Sequence, residues 1–266
     1  MYKDTKLALG RAVRRRDDPP STAPTVAFGR LRVGGTDLHY RVSGKGEPLV
    51  LIHGYSASGC WWRANMPALA VNHRVYAIDL AGFGQSRTHD SFTLAHAVDT
   101  IVAWMDALGI EKADICGHSM GGHIAMKLAQ AYPERVAKLV LADASGLPLH
   151  ASLSLLAWRG LRGAGHTHFR FTATVVGTSL QAGPRSLYGA ARAVLSDNVE
   201  GTLGAIVAPT LIVWGERDML IPVAIGYALH QAIASSRLVV LPGGGHNIML
   251  EQPGEFNQLV HEFLAA

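Results

Sequence analysis

An α/β domain with a mainly parallel central sheet is the fold class this sequence predicts, and three observations predict it. Short, continuous apolar runs recur along the chain, as strands covered on both faces require. Segments with apolar residues three and four apart alternate with those runs, as helices packed on a sheet do. Between one such run and one such segment stands a glycine-rich turn with a serine in it, Gly117-His118-Ser119-Met120-Gly121-Gly122.

The 266 residues suffice for one large domain with a generous core, or two small ones. With 48% apolar and 17% charged residues, wholesale disorder is excluded. Residues 1–18 hold six basic and three acidic side chains, so they carry +3 of the net charge of +4. The basic balance therefore belongs to a tail and does not describe a nucleic-acid-binding body. The tail reads as a solvated helix lying on the domain, with contact to anionic lipid or a partner as the alternative. Its apolar stretch, Leu7-Ala8-Leu9, is too short for the core of a secretory signal. No stretch approaches the ~20 apolar residues of a membrane span. The two cysteines, Cys60 and Cys116, both lie among apolar residues, so no disulfide framework is expected. A cytoplasmic location is the expectation.

Residues 19–24, Pro-Pro-Ser-Thr-Ala-Pro, read as a linker. Strand-like runs at 26–33 and 37–42 flank Gly34-Gly35, which is a hairpin signal. Buried-strand runs follow at 49–52, 75–78, 113–116, 139–142, 210–214 and 238–241. Leu94, Val98, Ile101, Val102, Met105 and Leu108 share one helical face, and Gly109 ends that helix. Another helix covers 124–131 and stops before Pro133. Phe256, Leu259, Val260, Phe263 and Leu264 mark the last one.

Residues 146–204 break the rhythm. They hold helical pieces, several glycines and Trp158, Phe169, Phe171 and Tyr188, but no clear buried strand. An insertion of this length between sheet strands reads as a helical cap, or lid, over a site. Extra helices without contact to a site are the other reading. The domain organisation is then a basic tail and linker at 1–25, a core at 26–145 and 205–266, and a cap at 146–204.

The Gly117–Gly122 turn carries chemistry because of its setting. A serine on a tight turn between a buried strand and a helix projects its hydroxyl above the sheet. Gly117 and Gly121 are needed where side chains would collide with neighbouring backbone. The helix start supplies free N–H groups and the positive end of its dipole.

These residues, with His53-Gly54, the block Asp79-Leu-Ala-Gly-Phe-Gly-Gln-Ser86, Trp214-Gly-Glu-Arg-Asp218 and Gly245-His246, resemble the α/β-hydrolase superfamily. The resemblance runs from about Leu31 to the C-terminus and leaves the basic tail outside. It implies the α/β-hydrolase fold, a parallel sheet flanked by helices, and Ser119 as nucleophile.

A serine hydroxyl needs a base. Four histidines compete: His53, His118, His123 and His246. His118 adjoins the nucleophile and is expected to point away from its hydroxyl, His123 lies on the following helix, and His53 shapes a loop. His246 follows the last strand on the Gly243-Gly-Gly245 loop, at the carboxyl edge where open α/β sheets bind ligands, and is assigned as base. Asp218 resembles the family's acid, giving the chain order Ser119, Asp218, His246. Asp143 is the alternative acid, at the end of the preceding strand, and Glu216 falls too early in its turn. Backbone N–H groups of Met120 and Tyr55 are the expected oxyanion donors.

The Gly82-Phe-Gly84 turn lacks the helix start and lysine of a phosphate loop, so it reads as turn structure. No metal-ligand spacing and no dinucleotide fingerprint appear, so neither metal nor cofactor is expected. The leading function is hydrolysis of small, moderately hydrophobic carboxylic esters through an acyl-enzyme. Carbon–carbon bond hydrolysis of dienone ring-cleavage products, lactone hydrolysis and perhydrolysis remain open on the same triad. So does a binding protein or receptor with little turnover.

Overall fold

The computed structural model describes residues 25–148 and 169–266 of the chain. β1 (Ala27–Val33) and β2 (Thr36–Ser43) form an antiparallel hairpin, with Gly34 at φ +56° in its turn. Six further strands follow: β3 (Glu47–Ile52), β4 (His73–Ile78), β5 (Ala113–His118), β6 (Val136–Ala142), β7 (Thr210–Gly215) and β8 (Ser236–Leu241). All eight join one sheet in the order β1-β2-β4-β3-β5-β6-β7-β8. β2 meets β4 antiparallel, and every pairing from β4 across to β8 is parallel.

The chain leaves β3 to form β4 on one side and then returns to form β5 on the other. The carboxyl ends of β3 and β5 therefore flank the point where the strand order reverses, where this topology opens a crevice. The predicted nucleophile follows β5, and the predicted Tyr55 donor follows β3.

The helices are α1 (Met66–Leu69), α2 (Leu94–Ala107), α3 (Met120–Ala131), α4 (Phe169–Ser196), α5 (Val223–Ala232), α6 (Ile248–Glu251) and α7 (Pro253–Ala265). Alternate side chains of β3 serve opposite faces of the sheet. Val50 and Ile52 pack with Ile101 and Trp104 of α2 and Ile124 and Leu128 of α3. Leu49 and Leu51 pack with Trp62, Met66 of α1, and Phe256 and Val260 of α7. This explains the unbroken apolar run in the sequence, since both faces are covered. Each fully buried side chain of this kind contributes about 1.5–3 kcal/mol.

Two elements differ from the sequence pattern. The run at 238–241 is a parallel strand, but β8 is the sheet edge, so most of it is only half-buried. α5 carries little signal because only Gly226 and Leu229 of its ten residues are fully buried.

α4 fills part of the insertion between β6 and β7, and it bends at Gly183 (φ +71°) ahead of Pro184. Tyr188 on this helix is 71% exposed. The basic tail (residues 1–24) and residues 149–168, with Trp158, lie outside the described residues. Cys60 and Cys116 are free thiols. No described helix is long and apolar enough to cross a membrane.

Candidate active site

Ser119 sits between β5 and α3 with φ +53° and ψ −119°, a left-handed backbone that a non-glycine residue adopts only under strain. Close packing enforces it. A Cβ on Gly117 would run into the main chain of Gly121, and a Cβ on Gly121 would run into the Ile52 carbonyl. The Ser119 N–H donates to Ala142 O at 3.0 Å, and its carbonyl accepts from Gly122, His123 and Ser145 N–H groups. The turn is thus fixed by β6 on one side and by its own helix on the other.

His246 Nε2 lies 3.1 Å from Ser119 Oγ, and His246 Nδ1 lies 2.7 Å from Asp218 Oδ2. The remaining carboxylate oxygen, Asp218 Oδ1, accepts the N–H groups of Leu220 (2.8 Å) and Ile221 (2.9 Å). The structure thus brings Ser119, His246 and Asp218 into one relay. The Asp218 carboxylate fixes His246 with its proton on Nδ1, which leaves Nε2 to accept the serine proton.

Asp143, the alternative acid, does not reach the His246 ring. It is fully buried, with φ +44°, and its two oxygens accept Gly215 N–H (2.8 Å) and Ile248 N–H (3.1 Å). It therefore ties the end of β7 to the segment just after His246. Burial pushes its carboxyl up, helped by the Asp218 charge and opposed by the two N–H donors. Glu216 has another part: Oε2 accepts Gly243 N–H at 2.8 Å. Glu251 accepts Gly245 N–H (2.7 Å) and Asn247 N–H (3.1 Å). The glycine-rich loop that presents His246 is thus braced by three carboxylates that contact only its main chain.

The β3 end supplies the other wall. A Cβ on Gly54 would come within 3.1 Å of Ser119 Cβ, so this loop lies against Ser119. His53 is buried, its Nδ1 lies 2.8 Å from Gly54 O, and its Nε2 accepts Leu80 N–H at 3.0 Å. Because Nε2 accepts, Nδ1 carries the proton and donates to the Gly54 carbonyl. Burial holds His53 neutral, pushed down to about 4. In a trans peptide the N–H points opposite to the C=O. Pinning the Gly54 carbonyl therefore turns the Tyr55 N–H away from His53, and among the described residues that N–H finds no main-chain acceptor. Met120 opens α3, so its N–H precedes the hydrogen bonding of the helix. Tyr55 is 41% exposed.

The block from Asp79 to Ser86 is turn structure that supports this wall. Asp79 accepts N–H groups from Gly59 (2.7 Å) and Gln85 (2.9 Å), and its oxygens also contact Arg41 (3.2 Å) and His39 (2.9 Å). Burial opposes its ionisation, but His39, the Gln85 N–H and Arg41 outweigh that, and the carboxyl is held down to about 2. The next residue, Leu80, is the one that donates to His53.

His118 and His123 are buried and do not contact Ser119 Oγ. Burial pushes them to about 3 and about 4 respectively. His118 Nε2 lies 2.9 Å from the main-chain oxygen of His246. His123 Nε2 faces Asp197 at 3.4 Å. Sequence reasoning missed the loop braces Asp143, Glu216 and Glu251. The one legible signal was Glu251, a glutamate in the helical turn after Asn247, placed to reach back to an N-cap N–H. Among the described residues no group of three or more His, Cys, Asp or Glu could hold a metal ion. The assembled groups can move a proton from a serine hydroxyl to an imidazole, which is the first step of acyl-transfer chemistry.

Comparison with known proteins gives the family and the fold. Residues 49–259 match the model of the "Alpha/beta hydrolase family". The chain is 34% identical over 275 residues to the 2-hydroxymuconate semialdehyde hydrolase of Pseudomonas sp. (strain CF600), covering 92% of this chain and 96% of that one. A solved meta-cleavage product hydrolase from Pseudomonas fluorescens IP01 is 29% identical with a TM-score of 0.74, covering 87% of this chain and 95% of that one. A thermophilic esterase from Thermogutta terrifontis is 26% identical with a TM-score of 0.77, covering 86% of this chain and 93% of that one.

Proposed function

The chain belongs to the alpha/beta hydrolase family, and from that premise we propose that it is a serine hydrolase cleaving the carbon–carbon bond beside a ketone in dienone ring-cleavage products. The observation that carries the catalytic part is the Ser119–His246–Asp218 relay at 3.1 and 2.7 Å. The substrate class is supported by the relatives that are hydrolases of ring-cleavage products, one of them matched along 92% of this chain.

In this reading His246 takes the Ser119 proton as Oγ adds to the ketone carbon. The oxyanion that forms is received by the N–H groups of Tyr55 and Met120. The dienol first shifts its hydroxyl proton to the carbon beside the ketone; when the carbon–carbon bond then breaks, its electron pair is delocalised as a dienolate, which takes the proton held by His246 and leaves as the dienol. The acyl group stays on Ser119. Water, deprotonated by His246, adds to the acyl carbon and releases a carboxylic acid, and the proton returns to Oγ. Asp218 holds the imidazole in its tautomer and stabilises the imidazolium in both halves.

Ester hydrolysis, the leading expectation from sequence, is the second reading. The esterase neighbour supports it, and only the leaving group changes. The two separate by kcat/KM measured side by side on 2-hydroxy-6-oxo-6-phenylhexa-2,4-dienoate and on a chain-length series of p-nitrophenyl esters. A dienoate value at least tenfold above the best ester is expected. Ester turnover with no detectable dienoate cleavage would move the protein to the second reading. No turnover on either would favour a binding role.

A further inference from the structure

We propose that His118 is a positioning residue that holds the general base to the nucleophile's own strand, an inference that rests on the reading of Ser119 and His246 above. His118 is the last residue of β5, adjacent to Ser119, and is only 1% exposed. Its ring centroid lies 5.1 Å from that of His246, with the planes tilted by 51°. The polar contact between the two residues runs from His118 Nε2 to the main-chain carbonyl of His246, at 2.9 Å. A carbonyl can only accept, so Nε2 carries the proton and Nδ1 carries the lone pair.

Nδ1 has no hydrogen-bond partner. It faces Gly54, where an added Cβ would come within 2.9 Å. A buried acceptor left unpaired is costly, so packing alone would favour an apolar side chain here. What the imidazole supplies and an apolar group cannot is the hydrogen bond to the base. Burial pushes His118 to about 3, so it stays neutral. It therefore holds the carbonyl without placing a positive charge beside the imidazolium that forms on His246.

The other braces explain why this contact matters. Glu216, Glu251 and Asp143 hold the N–H groups of Gly243, Gly245, Asn247 and Ile248. Glu216 and Glu251 tie the loop to the end of β7 and to α6, and Asp143 ties Ile248 to the end of β6. His118 holds residue 246 itself, and it does so from the residue covalently bonded to Ser119. One short chain of contacts, from Ser119 through His118 to the His246 carbonyl, thus runs beside the 3.1 Å separation of Nε2 and Oγ. A displacement of about 1 Å there can cost about 10²-fold in rate.

The test uses His118→Leu, which keeps bulk and loses the donor, and His118→Gln, whose side-chain amide nitrogen reaches the former Nε2 position. Thermal melting checks that both fold. If His118→Leu does not fold, His118→Asn replaces it, because its amide is one carbon too short to reach. The readouts are kcat and KM on p-nitrophenyl butyrate and the rate at which an organophosphonate labels Ser119. His118→Leu is expected to lose about 10–100-fold in kcat and in labelling rate, with KM within about threefold. His118→Gln is expected to recover most of that loss. Labelling of His118→Leu at the wild-type rate overturns the positioning role and leaves the serine-hydrolase reading standing. So does a folded His118→Gln as slow as His118→Leu. A wild-type protein that takes no label removes both.

Discussion

Asp218 Oδ2 lies 2.7 Å from His246 Nδ1, and the other oxygen of that carboxylate is held by two N–H groups of its own loop. The neighbouring carboxylate, Asp143, is as deeply buried but directs both oxygens to main chain. Asp218→Asn should therefore lower kcat by about 10³–10⁴-fold, by leaving His246 without its tautomer-fixing partner. Asp143→Asn should keep kcat within about tenfold and reduce stability by about 1–3 kcal/mol, the usual cost of weakening buried hydrogen bonds. Steady-state kinetics and urea unfolding on both variants decide it. The opposite ranking would make Asp143 the acid.

Gly54 faces both His118 and Ser119, at 2.9 and 3.1 Å from where a Cβ would stand. Gly54→Ala should push the Tyr55 N–H away from the oxyanion position and lower kcat by about 10²-fold, with a smaller change in KM. Pre-steady-state acylation with p-nitrophenyl butyrate reads this step. Unchanged acylation would remove Tyr55 from the oxyanion hole.

Much of this was legible in sequence because the signals are local. Ser119 and its glycines are close along the chain, and the two-faced burial of β3 appears as an unbroken apolar run. The order Ser119, Asp218, His246 follows from strand ends that the fold gathers at one edge. Asp218 was readable as the acid only through the family resemblance, with Asp143 as the alternative. Both follow buried strands, and packing shows which side chain reaches the ring. The braces Glu216 and His118 were hidden because they act on main-chain groups that every residue possesses. The parallel strand at 238–241 reads like the others, but its place at the sheet edge depends on which strands pair.

Asp79 is held down to about 2 despite burial, by His39, the Gln85 N–H and Arg41. Its folded value lies below the unfolded one of about 3.9. The stability it contributes is therefore present above about pH 4 and lost as pH falls towards 2. Asp79→Asn should cost about 2–3 kcal/mol at pH 7, and the gap to wild type should close between about pH 5 and pH 2. Urea midpoints across that range measure it, and a constant gap would count against the ionised cluster.

His123 is pushed down to about 4 by burial, with Asp197 raising it and Lys127 lowering it. An unfolded histidine titrates near 6.5. Between these values the unfolded chain binds a proton that the fold does not, so His123 weakens the fold as pH falls through that window. His123→Gln should therefore gain about 3 kcal/mol relative to wild type between pH 7 and pH 4. Parallel urea titrations of the two proteins isolate the difference, and an unvarying difference would contradict it.

Intact-mass spectrometry after treatment with an organophosphonate tests whether Ser119 is a nucleophile activated by His246. One adduct is expected on the wild-type protein and none on Ser119→Ala. An adduct that persists on Ser119→Ala, or a wild-type protein that takes none, would contradict it.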